Sequence, residues 1–397
     1  MTVSVALPRM TAAATVPRVA LFADTFYEVN GAARTCREWD AFARRRQLPF
    51  LCVRWGRKYA LSTEACELVR SGVAIPVDPD LRFDPFFYRV LEPVQKQLER
   101  FRPDVIHVTS PGDLGILGAI LAARLNTRLA LSWHTNLHEF AARRAQQVFG
   151  WIPRVLNAHS ARAIEQFVLD RVCWFFGRGD VLFAPNPELR SLLERRTGKP
   201  VYPMGRGIDT ELFRPDRRTR TDDALVIGFV GRLMPEKNLR LLRRVADRLF
   251  AQGIDNFRFQ ITGSGSEQAW LERNLPQAEF TGVLSGEPLA RAYANMDIFA
   301  FPSHTDTFGN VVQEALASGV PAVVTGNGGP RFIVRDGVSG FVAADEDEFC
   351  EHVVQMAREE WLRREMGRAA RRQVEDQSWD RVFQEVYDAY ACCFARS

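Results

Sequence analysis

Residues 224–238 read ALVIGFVGRLMPEKN, in which an apolar run leads directly into a loop with two cations. The run 224–230 is short and continuous, as is typical of a strand buried on both faces of a parallel sheet. Arg232 and Lys237 follow it, and a helix-length segment comes after them. A strand, a loop and a helix in this order begin a βαβ unit. The stretch therefore predicts a parallel α/β sheet in this half of the chain.

The same alternation continues on both sides of this stretch. Toward the carboxyl terminus, apolar runs recur at residues 257–261, 297–301 and 321–324. Toward the amino terminus, they occur at residues 18–23, 50–53, 104–108, 128–133, 180–184 and 200–203. Helix-length amphipathic segments separate the runs, so each half is predicted to form a doubly wound parallel sheet. We therefore expect an α/β protein with two Rossmann-like domains, residues 17–204 and 205–377.

Two segments lie outside this alternation. Residues 205–223 contain Pro215, several arginines and threonines and almost no periodicity, which predicts an exposed connector at the domain boundary. Residues 378–395 carry apolar and aromatic side chains at helical spacing, a stripe that must be buried against something. We expect the C-terminal helix, residues 378–397, to complete the N-terminal domain.

Composition limits the class of protein. The chain has 397 residues, more than one hydrophobic core usually serves, with 46% hydrophobic and 25% charged residues, as in ordinary soluble enzymes. A net charge of +4 from 52 basic and 48 acidic residues is too balanced to predict nucleic acid binding. The seven cysteines are scattered, which favours reduced thiols. With no apolar run of about 20 residues and no leader pattern, we expect a cytoplasmic protein that can touch the inner membrane surface.

Ligands of open α/β sheets bind beyond the carboxyl ends of the strands, so we expect the two domains to face each other across a cleft that holds the site. Arg232 and Lys237 follow a predicted strand end, where an arginine fork and a lysine point charge can clamp a diphosphate. The alternative is that they are two ordinary surface cations.

A second group of candidates follows the run 297–301. Thr307 is predicted to cap a helix there, so that Phe308 and Gly309 would offer unpaired backbone N–H groups to an anion. Asp306 stands beside this anion site, and a carboxylate there is explained if it binds sugar hydroxyls. Glu314, eight positions after Asp306, would contact another part of the same ligand. An isolated acid pair at this spacing also occurs on many solvated helix faces.

The N-terminal half supplies two candidates and one cluster. Gly31 lies in a loop after the first run, where a residue without a side chain lets the backbone approach phosphate. His134 follows the run 128–133, although a lone histidine is more often structural. Arginines mixed with aromatic residues suit an anionic membrane surface and a lipid acceptor, or else helices packed on the sheet. The cluster comprises Phe140, Arg143, Arg144, Phe149, Trp151, Arg154, Arg162, Phe167, Arg171, Trp174, Phe175, Phe176 and Arg178.

Together these motifs resemble family 4 of the retaining glycosyltransferases, which have the GT-B fold of two facing Rossmann-like domains. The resemblance covers nearly the whole chain and is densest in the C-terminal half. The residues that carry it there are Gly231-Arg232, Glu236-Lys237-Asn238, Phe280-Thr-Gly282 and the segment 306–319.

The resemblance implies roles for individual residues. It implies that Arg232 and Lys237 hold the donor diphosphate, that Asp306 holds sugar hydroxyls, that Glu314 holds the ribose and that His134 reaches the transferred sugar. Backbone near Gly282 would contact the base, and Gly31 would lie against the diphosphate. The sequence departs from the family in having Asp306 where glutamate is usual.

The resemblance also implies a reaction. We expect a retaining hexosyltransferase that uses a nucleoside diphosphate sugar, needs neither cofactor nor metal, and transfers mannose from GDP-mannose to a lipid or saccharide acceptor. No Asp-x-Asp motif is expected at a strand end, and the cation pair can stabilise the leaving diphosphate. The alternatives are a UDP-sugar-dependent glycolipid transferase, a nucleotide-sugar epimerase or phosphorylase of the same fold, and a non-catalytic sugar-nucleotide-binding subunit.

Overall fold

The structure is a computed structural model that describes residues 16–28, 30–78, 81–136 and 154–394. The strands are β1 Val19–Ala23, β2 Phe50–Trp55, β3 Ala60–Leu61, β4 Ala65–Leu68, β5 Ile75–Asp78, β6 Leu81–Phe83, β7 Val105–Val108, β8 Arg128–Ser132, β9 Val181–Ala184, β10 Val201–Pro203, β11 Leu225–Val230, β12 Phe257–Thr262, β13 Ala278–Gly282, β14 Ile298–Phe301, β15 Ala322–Thr325 and β16 Gly340–Ala343. The helices are α1 Gly31–Arg45, α2 Leu91–Phe101, α3 Asp113–Arg124, α4 Arg154–Phe176, α5 Pro187–Thr197, α6 Leu241–Ala251, α7 Gln268–Asn274, α8 Gly286–Ala294, α9 Asn310–Ala317, α10 Glu346–Arg358, α11 Glu360–Val374 and α12 Trp379–Phe394.

The chain divides into two compact units. The first comprises the described residues up to Gly205 together with the segment that begins at Trp379, and the second runs from Arg206 to Ser378. Each unit is built around its own sheet, and each sheet has its own buried apolar side chains.

The first unit contains a sheet with the strand order β10-β9-β8-β7-β1-β2-β4-β3. All neighbours pair in parallel except β3, which pairs antiparallel with β4 at the edge. Strand β1 pairs with β2 on one side and β7 on the other, and all five of its side chains are fully buried. Burial on both faces explains why this strand is continuously apolar rather than alternating.

Helix α12 covers one face of this sheet. Trp379, Phe383 and Tyr390 of α12 are buried with Trp39 of α1 in one apolar cluster, and the rings of Trp39 and Phe383 stack at 5.2 Å. The stripe of the C-terminal segment is thus buried against the first unit. This contact places the last described helix next to strands that lie near the start of the chain.

The second unit contains a six-stranded parallel sheet with the order β13-β12-β11-β14-β15-β16. Strand β11 pairs with β12 and β14, and all six of its residues are buried. The carboxyl ends of these three strands lie at the same edge of the sheet because the strands are parallel. The loops after them are therefore neighbours.

Two expectations from the sequence are wrong. The segment 205–223 is not an exposed connector throughout, because Arg206, Ile208 and Phe213 are buried and the Phe213 ring packs at 5.7 Å against Tyr293 of the second unit. The second is the expectation that no Asp-x-Asp motif lies at a strand end. The motif Asp78-Pro-Asp80 begins at Asp78, which is the last residue of β5. Asp80 lies outside the described residues.

A helix that crosses a bilayer must be both long and apolar. Within the part of the chain that the structure describes, no helix combines the length and the apolar character that a membrane span requires.

Candidate active site

The loops after β11 and β12 touch each other at the carboxyl edge of the second sheet. The N–H of Gly231 donates to the Thr262 carbonyl at 3.0 Å, and the N–H of Leu233 donates to the Ser264 carbonyl at 2.9 Å. Gly263 has a φ of 136°, and a Cβ atom there would lie only 1.9 Å from the Gly231 carbonyl oxygen. Only glycine fits at this position. The contact fixes the start of the segment that carries Arg232 and Lys237.

Lys237 ends a 3₁₀ turn, Pro235–Lys237, and its residue is only 8% exposed. Its Nζ atom donates to both carboxylate oxygens of Asp306, at 2.8 and 2.7 Å. The same ammonium lies 5.6 Å from the centre of the Phe301 ring at the end of β14. A nearly buried cation needs a partner, and here Asp306 is that partner.

Asp306 is held from a second side by Ser303, whose hydroxyl donates to it at 2.6 Å. Burial by itself would raise the pKa of Asp306, but the charge and hydrogen bonds of Lys237, the hydrogen bond from Ser303 and the charge of Arg232 outweigh burial, so the pKa lies below its usual value. A lowered pKa means that the pair stabilises the fold at neutral pH and that this contribution is lost as the pH falls through the lowered pKa.

Arg232 is more exposed than Lys237. About a third of its side chain is accessible, and its Nη2 atom lies 3.5 Å from Glu236. Since Arg232 acts electrostatically on Asp306, the guanidinium, the ammonium and the carboxylate form one charged group. The structure thus brings the cation pair next to Asp306, which the sequence placed after a different strand.

Helix α9 begins later than the sequence predicts. Its first residue is Asn310 and its N-cap is Gly309, with a left-handed φ of 105°, so Thr307 is not the cap. A Cβ atom at Gly309 would lie 2.9 Å from Pro330, which also favours glycine. Among the described residues, no hydrogen bond is donated by the backbone N–H of Phe308 or of Gly309. These two groups remain able to bind an anion.

Glu314 lies one turn into α9 and is 4% exposed. Its carboxylate accepts a hydrogen bond from the Tyr293 hydroxyl of α8 at 2.9 Å. Gly282, at the end of β13, has a φ of 69°, and no described atom lies within 4 Å of the position that a Cβ atom would take. The backbone there is open to a ligand, as the resemblance requires of a base-binding position.

Three residues that contact Asp306, Glu314 or the start of α9 were not predicted from the sequence. Arg206 is 4% exposed, and its guanidinium carbon lies 5.8 Å from the centre of the Phe308 ring. Its carbonyl accepts a hydrogen bond at 2.9 Å from Gln313 of α9, which holds it against that helix. Ser303 and Tyr293 hold the two acids. Of these, only Ser303 could have been found from the sequence, since it lies between a strand end and Asp306. The sequence gives no sign that an arginine in an apparent connector is buried.

His134 belongs to the first unit, where it follows β8 at the carboxyl edge of the sheet and is 8% exposed. Its Nε2 atom lies 2.7 Å from the Ser132 hydroxyl. Gly31 is the first residue of α1 and is exposed, and Asn30 caps this helix by accepting from the Ala33 N–H at 2.8 Å. Both candidates thus lie beyond carboxyl ends of parallel strands, as expected.

Asp24 is a further acid at this edge of the first sheet. It follows β1, is 2% exposed and accepts from the Leu114 N–H at 2.9 Å and from the Ser110 hydroxyl. Burial and the neighbouring Asp113 raise the pKa of Asp24 well above its usual value. Gly112 allows this close contact, because a Cβ atom there would lie 2.6 Å from the Asp24 carboxyl. The raised pKa favours the neutral acid, which can both donate and accept.

These two units, with cations, acids and a helix N-terminus at the carboxyl edge of the second sheet, define a two-domain α/β transferase of the glycosyltransferase class. The family comparisons agree. Residues 224–359 match the glycosyl transferases group 1, and residues 29–212 match glycosyltransferase family 4. The chain belongs to glycosyltransferase family 4.

An individual relative supports this family, and two solved structures support the fold. The chain is 33% identical over 312 residues to a GDP-mannose-dependent alpha-mannosyltransferase of Mycolicibacterium smegmatis, covering 75% of this chain and 76% of that protein. It resembles sucrose-phosphate synthase from Thermosynechococcus elongatus, with a TM-score of 0.72, 16% identity and coverage of 96% and 99%. It also resembles Anabaena HepE in complex with UDP and glucose, with a TM-score of 0.64, 15% identity and coverage of 94% and 100%. The predicted GT-B fold class is confirmed.

The first prediction concerns the cation pair. Lys237→Ala and Arg232→Ala should each weaken GDP binding by about 2 to 5 kcal/mol, because truncating one partner of a close charge pair costs this much. The affinity for GMP, which has one phosphate, should fall less. Isothermal calorimetry with both nucleotides measures the difference, and Arg243→Ala, an exposed cation of α6, is the control. Unchanged GDP affinity in both site variants would exclude the diphosphate role.

The second prediction concerns Asp306. Asp306→Asn should lower kcat/KM by about 1.5 to 3 kcal/mol, the range for hydrogen bonds to a charged group. GDP affinity should fall less than in Lys237→Ala, since the cation remains. Asp306→Glu should also lose activity, because the longer chain must fit between Lys237 and Ser303. Steady-state kinetics and calorimetry on both variants test this. A fully active Asp306→Glu protein would contradict it.

Proposed function

We propose that the protein is a retaining mannosyltransferase that moves mannose from GDP-mannose to a hydroxyl of a lipid or saccharide acceptor. The observation that carries the proposal is the group formed by Lys237, Arg232 and Asp306 beside the N-terminus of α9. The group offers positive charge and backbone N–H donors to a diphosphate, and a carboxylate to sugar hydroxyls. The mannosyltransferase relatives, which share three quarters of the chain, support the choice of sugar and base.

In the proposed mechanism, the diphosphate enters between Lys237 and the free N–H groups of Phe308 and Gly309. Lys237 then divides its hydrogen bonds between the phosphate and Asp306. As the bond between the anomeric carbon and the diphosphate oxygen lengthens, Lys237 and Arg232 stabilise the negative charge on the leaving group. The anomeric carbon gains positive character, the acceptor hydroxyl attacks from the face that the diphosphate leaves, and the hydroxyl proton passes to the departing phosphate oxygen. His134 contacts the transferred sugar, as the resemblance to the family implies.

The same charges make a metal unnecessary in this proposal. Two cations at the leaving group supply the stabilisation that a divalent ion would otherwise give. An Asp-x-Asp motif begins at Asp78, the last residue of β5, so activity in the presence of EDTA tests this part of the proposal.

One alternative donor has a specific observation in its favour. The HepE structure, which shares the fold, contains UDP and glucose. Gly282, where the base would lie, offers backbone and no side chain, and this geometry alone does not select guanine over uracil. A UDP-sugar-dependent transferase is therefore the second candidate.

The third prediction tests donor and metal together. With diacylglycerol or phosphatidylinositol as acceptor, GDP-mannose should give product and nucleotide release at a higher kcat/KM than UDP-glucose or ADP-glucose. The rate should be unchanged in excess EDTA. A preference for UDP-glucose would favour the second candidate, and a rate abolished by EDTA and restored by Mg²⁺ or Mn²⁺ would refute metal independence. Turnover of donor or phosphate without acceptor would indicate an epimerase or phosphorylase.

The fourth prediction concerns His134. His134→Ala should lower kcat by about 10²-fold or more while the GDP affinity stays nearly the same, since losses confined to turnover mark contacts made in the transition state. The nucleotide contacts proposed above lie in the second unit, whereas His134 lies in the first. Kinetics and calorimetry on the variant, with His352→Ala of α10 as the control, decide the matter. A variant with the parent turnover would make His134 structural.

We also propose that α4 binds an anionic membrane surface that presents the lipid acceptor. Phe167 and Trp174 are 63% and 57% exposed, although Phe175 and Phe176 of the same helix are buried. Guanidinium groups accompany both exposed rings. Arg171 lies 5.6 Å from the Phe167 ring centre, and Arg178 lies 4.0 Å from that of Trp174. Rings and cations at one-turn spacing suit the interface of anionic lipids. The cluster members Arg154 and Arg162 belong to α4 as well, whereas Phe140, Arg143, Arg144, Phe149 and Trp151 lie outside the described residues.

The fifth prediction tests this face. The protein should sediment with phosphatidylglycerol vesicles and much less with phosphatidylcholine vesicles, and 0.5 M NaCl should weaken the binding. Phe167→Ala combined with Trp174→Ala should reduce it by about tenfold or more, because burying one large apolar side chain is worth about 1.5 to 3 kcal/mol. Trp361→Ala, which removes an exposed tryptophan of α11, should have no effect. Equal binding of phosphatidylglycerol vesicles by the parent protein and by the Phe167→Ala, Trp174→Ala variant would contradict the proposal.

A further inference from the structure

A continuous chain of buried hydrogen bonds runs from helix α12 to His134. The Tyr390 hydroxyl lies 2.6 Å from Nδ1 of His107, and Nε2 of His107 lies 2.7 Å from the Ser132 hydroxyl. The same Ser132 hydroxyl lies 2.7 Å from Nε2 of His134. The exposed fractions of Tyr390, His107, Ser132 and His134 are 0%, 0%, 1% and 8%. The chain therefore has almost no contact with water along its length.

The middle of this chain is a neutral histidine. Burial lowers the pKa of His107 to about 3. Its ring is enclosed by Trp39 at 4.7 Å and Phe183 at 5.5 Å between ring centres. A neutral imidazole has one N–H donor and one acceptor nitrogen. His107 must therefore donate at one end and accept at the other, so the direction of one of its hydrogen bonds fixes the direction of the other.

The direction follows from the two ends of His107. A phenol is a better hydrogen-bond donor than acceptor, and an imidazole nitrogen is a strong acceptor, so the Tyr390 hydroxyl donates to Nδ1 of His107. Nε2 of His107 then carries the proton and donates to the Ser132 oxygen. The Ser132 hydroxyl in turn donates to Nε2 of His134, which leaves the proton of a neutral His134 on Nδ1.

We propose that Tyr390, His107 and Ser132 are positioning residues that fix the orientation and the tautomer of His134, with its proton on Nδ1. This inference rests on the proposed function for the role of His134 in turnover, but not for its tautomer. It also gives a reason for the packing of α12 on the first sheet, because this helix supplies the first donor of the chain. The partner of one ring nitrogen determines which tautomer a histidine adopts. For His107 that partner is Tyr390, which lies 283 residues away in sequence.

The test removes one hydroxyl. In Tyr390→Phe the ring and its packing remain, but Nδ1 of His107 loses its donor, so both directions of the chain become accessible. Nitrogen-15 NMR of the full-length protein with labelled histidine reports the tautomer of His134, and the spectrum of His134→Gln assigns its signals. The parent should show a protonated Nδ1 and an unprotonated Nε2. Tyr390→Phe should show intermediate shifts for both nitrogens. Its kcat should fall about tenfold, as when an outer partner of a functional histidine is lost, with the donor KM within about twofold.

Tyr387→Phe is the matched control. Tyr387 lies one turn earlier on α12, is 3% exposed, and its hydroxyl makes no hydrogen bond with a described residue. This variant should keep the parent tautomer and the parent kcat. Ser132→Ala, which interrupts the chain nearer to His134, should reproduce Tyr390→Phe.

Two results would overturn the inference. One is a parent protein whose His134 is protonated on Nε2, and the other is a Tyr390→Phe protein with the parent shifts, whatever its turnover. Failure of the proposed function looks different, because His134→Ala would then keep its kcat while the tautomer still changed in Tyr390→Phe. That combination would support the inference and exclude the proposed role of His134.

Discussion

The contact between the loops after β11 and β12 is the constraint on which the candidate donor site depends. Parallel strands bring their carboxyl ends to one edge, and at this edge the Gly231 carbonyl occupies the space where any other residue at position 263 would have its Cβ atom. The close approach sets the path of the chain from Gly231 to the 3₁₀ turn, and with it the place of Lys237. A side chain at position 263 would push these loops apart, and the distance from Lys237 to Asp306 would no longer be fixed.

The balance of charge at this edge follows from burial. Lys237 is almost completely buried, so it requires an anion, and Asp306 supplies one. A diphosphate can share this cation without leaving the carboxylate alone, because Ser303 also donates to Asp306. The aspartate, shorter than the usual glutamate, is suited to direct contact with Lys237. The departure from the family pattern thus coincides with an ion pair between Asp306 and Lys237.

In the first unit, the proposed chain of hydrogen bonds reaches His134 through three uncharged side chains, those of Tyr390, His107 and Ser132. The middle of this chain lies in an aromatic environment, since Trp39, Phe183 and Tyr390 surround His107. Such a chain is costly to break, because each member left unpaired would remain buried. Helix α12 therefore contributes both apolar burial and the first donor of the chain.

The sequence by itself determined the fold class, because the short continuous apolar runs and the amphipathic segments between them are local properties of the chain. It also placed Arg232, Lys237, Asp306 and His134 beyond strand ends, since a motif keeps its distance from the run it follows. Only the tertiary structure decided which groups meet. The contacts of Lys237 with Asp306 and of Tyr390 with His107 join segments far apart in sequence, and they depend on strand order and helix packing. The burial of Arg206 and Phe213 and the start of α9 at Asn310 likewise depend on neighbours such as Tyr293 and Pro330, which local patterns do not reveal.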